Sequence, residues 1–255
     1  MKQKGAAPAA LFALRGDTVR TLELSPRLHS VAELVPEGAR FADVGTDHAY
    51  LPVWLLQQGI IRRAVVSDLR QGPLDRARST AEKYDLTQQM DFRLCDGLAG
   101  ITPEEADTIA IAGMGGETVA DILAAAPWTL DRECLLLLQP MSAQPFLRQW
   151  LQGHGYSIRR EVLSREGDTI YTAFQVCAGH MKPLTPAEQW AGRQSRGEDA
   201  PLRTDYLDRL LRQTARALEG LRRSSRQQDS LRLEELEQVY RGLKDMREEW
   251  LSWQR

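Results

Sequence analysis

The sequence contains no long uninterrupted run of hydrophobic residues. Among its 255 residues the longest apolar stretches, residues 109–114 and 134–138, are far shorter than a membrane-spanning helix, which needs about 20. Three cysteines are present, Cys95, Cys134 and Cys177, and their spacing matches neither a CxxC motif nor a metal site. We therefore expect a cytoplasmic protein with reduced cysteines, no transmembrane segment and no metal ion.

The sequence also lacks a strong excess of charge of either sign. It carries 33 Lys and Arg residues against 35 Asp and Glu residues, which gives a net charge of −2. This balance argues against a globally basic nucleic-acid-binding protein, but a local basic patch can coexist with an acidic remainder. Residues 1–20 lack the long apolar core of a secretory signal, and we expect them to form a disordered leader.

Strand and helix patterns alternate regularly between residues 40 and 152. Apolar segments at residues 40–44, 64–67, 90–95, 108–112 and 133–139 predict five strands, with helices between them. Such alternation is typical of a parallel sheet with helices on both faces. Residues 157–163 and 169–176 follow as a predicted antiparallel pair at the edge of the sheet. The sequence therefore predicts an α/β, Rossmann-like domain over residues 21–180.

The composition changes after Cys177, where two long helical patterns begin. Thr185 and Pro186, with Glu188 behind them, are typical of a helix start. Two heptad stripes then predict an antiparallel helical hairpin, a coiled coil, in a C-terminal domain of residues 181–255. The stripes are Leu207, Leu211, Thr214, Leu218 and Leu221, followed by Leu236, Val239, Leu243, Met246, Trp250 and Trp253.

Arginines recur on the opposite face of the first hairpin helix. Two interpretations of this face stay open: a solvated surface that serves solubility, or an arm that contacts phosphates. The arginines are Arg209, Arg212, Arg216, Arg222, Arg223 and Arg226.

The first predicted strand runs into a turn that contains a single glycine. Gly45 allows a ligand to approach the backbone closely, and the helix that follows directs free N–H groups towards it. A dinucleotide site needs the pattern G-x-G-x-x-G, and here Asp47, His48 and Tyr50 follow Gly45, with Asp47 and Tyr50 at the positions of the two further glycines. Carboxylates there would repel a diphosphate but suit a cationic group, such as the sulfonium and ammonium of S-adenosylmethionine. The turn therefore favours a methyl donor over a nicotinamide cofactor.

Acidic residues also follow the second and third strands. Asp68 lies where a carboxylate accepts hydrogen bonds from ribose hydroxyls, and Asp96-Gly97 lies where one can meet an adenine amino group. Each Asp alone is as consistent with a turn or a helix cap. Because the carboxyl ends of parallel strands share one edge of the sheet, the joint spacing favours a ligand pocket at that edge.

The fourth strand leads into Gly113-Met114-Gly115-Gly116. Methyltransferases that act on an exocyclic amine typically carry an Asn/Asp-Pro-Pro-aromatic tetrapeptide at this place, and this chain lacks it. Three glycines predict an open, backbone-lined site that places a flat base against the methyl group. A helix lead-in that needs positive φ is the alternative interpretation. A ring nitrogen such as adenine N1 has a free lone pair, so its attack on a sulfonium methyl group needs no general base.

Several motifs together resemble the bacterial tRNA N1-adenine methyltransferase family that modifies adenine 22. They are Leu24-Ser25-Pro26-Arg27-Leu28, the segment from Ala42 to Pro52, Ile111-Ala112-Gly113-Met114-Gly115-Gly116, Leu138-Gln139-Pro140 and the segment from Glu166 to Tyr171. The resemblance spans roughly residues 24–176, and a C-terminal helical hairpin also belongs to that family. It implies a class I methyltransferase fold, S-adenosylmethionine as cofactor, tRNA as substrate and a hairpin that helps to hold the tRNA.

With the resemblance included, the predicted site has two parts. The acceptor-positioning set, without a dedicated base, is Gly113, Met114, Gly115, Gly116, Gln139 and Pro140. The cofactor-binding set is Arg27, Asp43, Gly45, Thr46, Asp47, His48, Asp68, Asp96, Gly97 and Gly113.

Two positions depart from the family's usual pattern. Met141 follows Gln-Pro where the family usually has Asn, and Asp68 stands where it often has Glu. Two alternatives stay open beside tRNA methylation: a small-molecule methyltransferase of the same fold, or a non-catalytic protein that binds the cofactor or RNA.

Overall fold

The computed structural model describes residues 21–131, 134–223 and 228–254, so the predicted leader lies outside the described residues. The strands are β1 (Phe41–Val44), β2 (Ala64–Asp68), β3 (Met90–Leu94), β4 (Thr108–Gly115), β5 (Leu135–Ser142), β6 (Tyr156–Glu166) and β7 (Thr169–Ala178). The helices are α1 (Pro26–Ala32), α2 (Tyr50–Gln57), α3 (Gln71–Lys83), α4 (Gly116–Ala124), α5 (Gln144–Gly153), α6 (Pro186–Ala191), α7 (Arg203–Arg222) and α8 (Gln228–Trp253).

The seven strands form one mixed sheet in the order β3-β2-β1-β4-β5-β7-β6. Strands β1 to β5 run parallel, and β7 lies antiparallel between β5 and β6. The α/β, Rossmann-like fold class is therefore confirmed. Because the chain reverses its winding direction at β1 and β4, the loops that follow these strands open a crevice at the carboxyl edge.

Alternating residues of the central strands supply two apolar layers, one on each face of the sheet. Ala42 and Val44 of β1 belong to the layer that packs against α4 and α5. Phe41 of the same strand faces the opposite layer, which includes α1, α2 and α3. Successive side chains of a strand point to opposite faces of the sheet, and both faces are buried here. This explains why the sequences of the strands are nearly continuous apolar runs. The packing holds the carboxyl ends of five strands in fixed positions around the crevice.

Strand β4 is longer than the sequence pattern predicts. It continues beyond Ala112 through Gly115, and its register with β5 shifts on both sides of Met114. Gly113 has a φ of +85°, a left-handed conformation that residues with a Cβ rarely adopt, and this accounts for the irregularity. The glycine segment is thus an irregular strand end, not a free loop.

The C-terminal helices α7 and α8 form the predicted antiparallel hairpin. Leu207, Thr214 and Leu218 of α7 are buried, as are Leu243 and Trp250 of α8. The hairpin shares an apolar cluster with α6 and with residue 170 of β7, so its base packs on the sheet domain. In the described part of the chain, no helix combines the length and the apolar character that crossing a membrane requires.

Candidate functional site

A cavity of about 560 Å³ opens at the carboxyl edge of the sheet, beside β1, β2 and β4. Its volume falls within the usual range of small-molecule sites, about 300–1,000 Å³. Five residues predicted from the sequence line it: Gly45, Asp68, Asp96, Gly97 and Met114. Residues at the carboxyl ends of four strands therefore meet around one space.

Gly45 forms the part of the cavity wall at the end of β1. Its φ is +74°, and a Cβ added there would lie 1.7 Å from the methyl carbon of Met114. Any side chain at this position would strain the backbone and displace Met114. The absence of a side chain at Gly45 therefore makes room for the Met114 methyl group at the β1 end of the cavity.

Ser67 is a cavity residue that the sequence analysis missed. Its carbonyl oxygen accepts hydrogen bonds from the amides of Gly45 and Thr46, at 2.8 and 3.1 Å, which fixes the turn after β1. Its hydroxyl is fully buried and has no hydrogen-bond partner among the described residues. An orphaned hydroxyl in a cavity wall fits a ligand that carries polar groups, because leaving it unpaired costs about 1–3 kcal/mol.

Two carboxylates lie at the ends of β1 and β2. Asp68 is buried, and one of its oxygens accepts a hydrogen bond from the amide of Arg70 at 2.8 Å. Asp43 of β1 is also buried. Burial raises the pKa of its carboxyl group from 3.8 to about 6, although a hydrogen bond with Thr46 acts in the opposite direction. Asp96 adds a third carboxylate at the exposed rim. The cavity is lined by Asp68 and Asp96 but not by Asp43. The lining carboxylates suit the sulfonium and ammonium of S-adenosylmethionine and disfavour a diphosphate.

Asp47 and His48 lie outside the cavity lining. Asp47 is exposed and forms an ion pair with Arg76 of α3. The His48 ring stacks on Tyr50 at a centroid distance of 5.0 Å, and its Nε2 lies 3.6 Å from Asp47 Oδ2. In this arrangement neither side chain reaches the cavity, and their predicted contacts to a cofactor stay predictions.

Arg27 joins α1 to the end of β5. Its guanidinium donates a hydrogen bond of 2.6 Å to Oε1 of the fully buried Gln139 and lies 5.8 Å from the Tyr171 ring. Because Arg27 can only donate, it fixes the Gln139 carboxamide with its NH₂ group on the opposite side. That NH₂ group, which has two N–H donors, lies 3.5 Å from the carbonyl oxygen of Pro140 and 3.6 Å from the Met141 sulfur, a weak acceptor. Gln139 therefore keeps a donor that a stronger acceptor can use.

Strand β5 ends at Ser142 and α5 begins at Gln144, and we call residues 140–143, the end of β5 and its junction with α5, the acceptor loop. Gly116 packs directly under it: a Cβ at Gly116 would lie 2.6 Å from the carbonyl oxygen of Ala143 and 3.0 Å from that of Ser142. On its other side, a cleft of about 200 Å³ separates the loop from α7, and Arg209 and Gln213 line that cleft. The acceptor loop thus lies between the glycine segment and the hairpin.

The remaining predicted residues do not line the cavity. They are Thr46, Gly113, Gly115, Gly116, Gln139 and Pro140. A separate cavity of about 490 Å³ lies between β6 and residues 193–202, and it contains none of the predicted residues. Among the described residues, no group of three or more His, Cys, Asp or Glu side chains is arranged to hold a metal ion.

Comparison with known proteins gives a consistent picture. Residues 24–174 match the family described as "Methyltransferase domain". The chain is 39% identical over 158 residues to the tRNA (adenine(22)-N(1))-methyltransferase of Bacillus subtilis, an alignment that covers 62% of this chain and 66% of that relative. It is 30% identical over 154 residues to a putative tRNA methyltransferase of Mycoplasma pneumoniae, covering 59% of this chain and 70% of the relative.

Solved structures extend the similarity into the C-terminal helices. The crystal structure of the B. subtilis tRNA methyltransferase TrmK superimposes with a TM-score of 0.79 at 32% identity, covering 89% of this chain and 99% of that one. A Streptococcus pneumoniae putative tRNA (m1A22) methyltransferase, solved in complex with S-adenosylmethionine, gives a TM-score of 0.72 at 33% identity, covering 86% and 100%. The chain belongs to the methyltransferase-domain family and, within it, to the TrmK-like group of class I methyltransferases.

Proposed function

We infer that this chain transfers a methyl group from S-adenosylmethionine to N1 of adenine 22 in tRNA. The observation that carries the inference is the placement of an acidic cofactor cavity next to an acceptor loop, with an arginine-bearing helix beside that loop. The B. subtilis relative is named for this activity and is 39% identical to this chain over 158 residues.

We propose that the cavity residues divide the cofactor between them. Asp68, at the end of β2, is placed to accept hydrogen bonds from ribose hydroxyls, and Asp96 lies at the rim where an adenine amino group would meet it. The Ser67 hydroxyl provides a further polar partner in the wall. Gly45 leaves room for the methionine portion, and Met114 is the neighbouring side chain that must yield.

S-Adenosylmethionine, when bound, supplies an electrophilic methyl group on a positively charged sulfur. The lone pair of adenine N1 forms the new N–C bond while the S–C bond breaks and its electron pair stays on sulfur. The base then carries the positive charge until its amino group loses a proton to water. Because N1 needs no deprotonation, the protein's task is in-line placement, which can contribute many orders of magnitude in rate.

The acceptor loop is the element that we assign to this placement. The NH₂ group of Gln139 faces the loop and can donate to a ring nitrogen other than N1, in exchange for the weak Met141 contact. Met141 is half-exposed and unbranched, so it can move aside for a base. N1 lies on the Watson–Crick edge, so the adenine must be unpaired or flipped out before transfer.

Nucleoside analysis tests the reaction. The protein is incubated with a tRNA transcript and methyl-labelled S-adenosylmethionine, and the RNA is digested at neutral pH, because N1-methyladenosine rearranges to the N6 isomer in alkali. We expect labelled N1-methyladenosine from the wild-type transcript and none from a matched transcript with guanine at position 22. N6-methyladenosine as the initial product, or undiminished labelling of the position-22 variant, would contradict the assignment.

We also propose that α7 contacts tRNA phosphates. Arg209, Arg212, Arg216 and Arg223 follow one another at helical spacing from the acceptor loop outwards, along a helix roughly 30 Å long. Arg212 and Arg216 are exposed and make no salt bridge among the described residues, whereas Arg222 pairs with Glu237. Arginines that lack a protein counter-charge along a path to the acceptor loop fit a phosphate-binding role better than a purely solubilising one.

Replacing Arg212 and Arg216 together with Gln tests this role. We expect weaker tRNA binding and a salt dependence, as log Kd against log salt, that is less steep by about 1–2, because each lost phosphate contact removes about one released counterion. Binding of S-adenosylmethionine should not change.

The matched control replaces Arg62 and Arg63 with Gln. These exposed residues precede β2 and so lie at the amino ends of the parallel strands, opposite the carboxyl edge. The same net charge is then removed far from the acceptor loop. Equal losses in the two double variants would mean that only the overall charge matters. Deletion of the whole hairpin is a poorer test, because it removes packing partners of the sheet domain.

A further inference from the structure

The acceptor loop ends in a backbone conformation that needs support. Ala143, the residue before α5, has φ +52° and ψ +34°, in the left-handed region that residues with a Cβ rarely occupy. Such a conformation persists where surrounding contacts hold it, and it is found at ligand clamps and switch regions. The Gly116 backbone supports the loop from below. The contacts above it come from the hairpin.

Tyr206 of α7 provides the first of these contacts. Its hydroxyl donates a hydrogen bond of 3.0 Å to Oε1 of Gln144, the first residue of α5. The NH₂ group of Gln144 donates in turn to the carbonyl oxygen of Pro140, at 3.4 Å, across the acceptor loop. Tyr206 is only 2% exposed, whereas Gln144 is half-buried and lines the cleft, so this connection is partly shielded from water. A tyrosine of the hairpin thus orients the side chain that closes the loop.

Arg209, one turn further along α7, provides a second contact. It donates a hydrogen bond of 2.8 Å to the carbonyl oxygen of Ile170 in β7. The next residue, Tyr171, faces the guanidinium of Arg27, which holds Gln139 directly before the acceptor loop. Tyr206 and Arg209 are three residues apart and so lie on the same face of α7. Two connections therefore run from one face of the hairpin to the two ends of the loop.

The start of α7 is itself firmly anchored. The buried Arg203 donates hydrogen bonds to the carbonyl oxygens of Ala191 and Gly192, at 2.6 and 2.9 Å, at the end of α6. Tyr206 follows on the next turn of the helix. The first turns of α7, and with them Tyr206, are therefore held in a fixed position relative to α6.

We propose that the first two turns of α7 position the acceptor loop, with Tyr206 as the positioning residue. The hairpin then has a role in the chemical step in addition to holding tRNA, because it sets the geometry of the loop that places the base. This inference rests on the proposed tRNA methylation. If the hairpin only bound RNA, a change in it would alter the affinity for tRNA. The proposal predicts, in addition, a change in kcat that does not result from a change in that affinity.

Tyr206→Phe removes the hydroxyl and keeps the ring, so it tests the hydroxyl's contacts with Gln144 Oε1 and, at 3.3 Å, with the carbonyl oxygen of Trp190. We expect kcat for tRNA methylation to fall roughly tenfold, with the KM for tRNA and the Kd for S-adenosylmethionine within about twofold of wild type. Amide hydrogen exchange in a peptide covering residues 140–147 should become faster. Tyr240→Phe, a tyrosine of α8 outside these contacts, serves as the matched control and should change neither quantity.

A double-mutant cycle with Gln144→Leu shows whether the two residues act together. If they form one connection, the Tyr206→Phe, Gln144→Leu double variant should be little slower than the slower single variant. The proposal would be overturned if the rate losses of the two single variants multiplied in the double variant. It would also be overturned if Tyr206→Phe left both kcat and the amide exchange unchanged, or if it raised the KM for tRNA at unchanged kcat. If wild-type protein methylates no tRNA, the proposed function fails, and the exchange of residues 140–147 in Tyr206→Phe alone decides the inference.

Discussion

Replacing Glu161 with Gln is expected to lower the free energy of unfolding by about 3–5 kcal/mol, the usual effect of removing one partner from a buried ion pair. Glu161 of β6 accepts hydrogen bonds of 3.0 and 2.6 Å from the guanidinium of Arg148, which is completely buried in α5. Burial alone would lower the pKa of Arg148, but the Glu161 carboxylate keeps the pKa raised and the group charged. Without that carboxylate, a positive charge remains in the core.

A second buried arginine depends on the same carboxylate. Arg203 of α7 is 4% exposed; burial lowers its pKa, and the attraction of Glu161 opposes that effect. Arg148 also donates to the carbonyl oxygens of Gln189 and Trp190, so the cluster joins α5, β6, α6 and α7. The loss in Glu161→Gln should therefore loosen the hairpin from the sheet domain as well as reduce overall stability.

Urea denaturation followed by circular dichroism measures this effect. The matched control is Glu237→Gln, which removes the carboxylate of an exposed ion pair with Arg222 and should change the free energy of unfolding by about 0–1 kcal/mol. If the free energy of unfolding fell by less than about 1 kcal/mol in both variants, the buried cluster would contribute no more to stability than an exposed ion pair. If only the first is destabilised, the ionic cluster stabilises the junction between hairpin and sheet.

This cluster illustrates a part of the fold that the sequence did not reveal. Arg148, Glu161 and Arg203 lie on three elements separated by 13 and 42 residues, and no local pattern distinguishes them from surface charges. The strands and helices were predictable because their apolar periodicity reflects the packing of each element on a shared core. Which charges the core encloses depends on how those elements meet in space, and a single sequence does not encode that locally.

The candidate site shows the same division. Gly45, Asp68 and Asp96 were predicted together because parallel strands bring their carboxyl ends to one edge, and all three line the cavity. Ser67 was missed, since it reads as an ordinary residue of a buried strand. Asp47 was predicted to face the cofactor, yet it pairs with Arg76, which is 29 residues away on α3. Strand position is readable from sequence, whereas the direction of a side chain in a loop depends on its neighbours.

Gly116→Ala is expected to lower kcat for tRNA methylation by about 100-fold while leaving the affinity for S-adenosylmethionine nearly unchanged. The new methyl group would lie 2.6 Å from the carbonyl oxygen of Ala143 and 3.0 Å from that of Ser142. Both atoms belong to the backbone and cannot rotate away as the end of a side chain would. The acceptor loop must therefore shift, and a displacement of about 1 Å at a reacting base is enough for a loss of this size.

The separation of turnover from cofactor binding follows from where Gly116 lies. It starts α4 beneath the acceptor loop and is not part of the cavity lining, so the lining residues Gly45, Asp68 and Asp96, which belong to other elements, are expected to keep their positions. Single-turnover methylation and calorimetric titration with S-adenosylmethionine measure the two effects separately. Gly220→Ala in α7 is the matched control: no atom lies within 4 Å of its added methyl group, and alanine favours a helix by about 1 kcal/mol over glycine. Undiminished turnover in Gly116→Ala would mean that methyl transfer does not require the acceptor loop to hold its position. Weakened binding of S-adenosylmethionine would mean that Gly116 supports the cofactor cavity and not the acceptor loop.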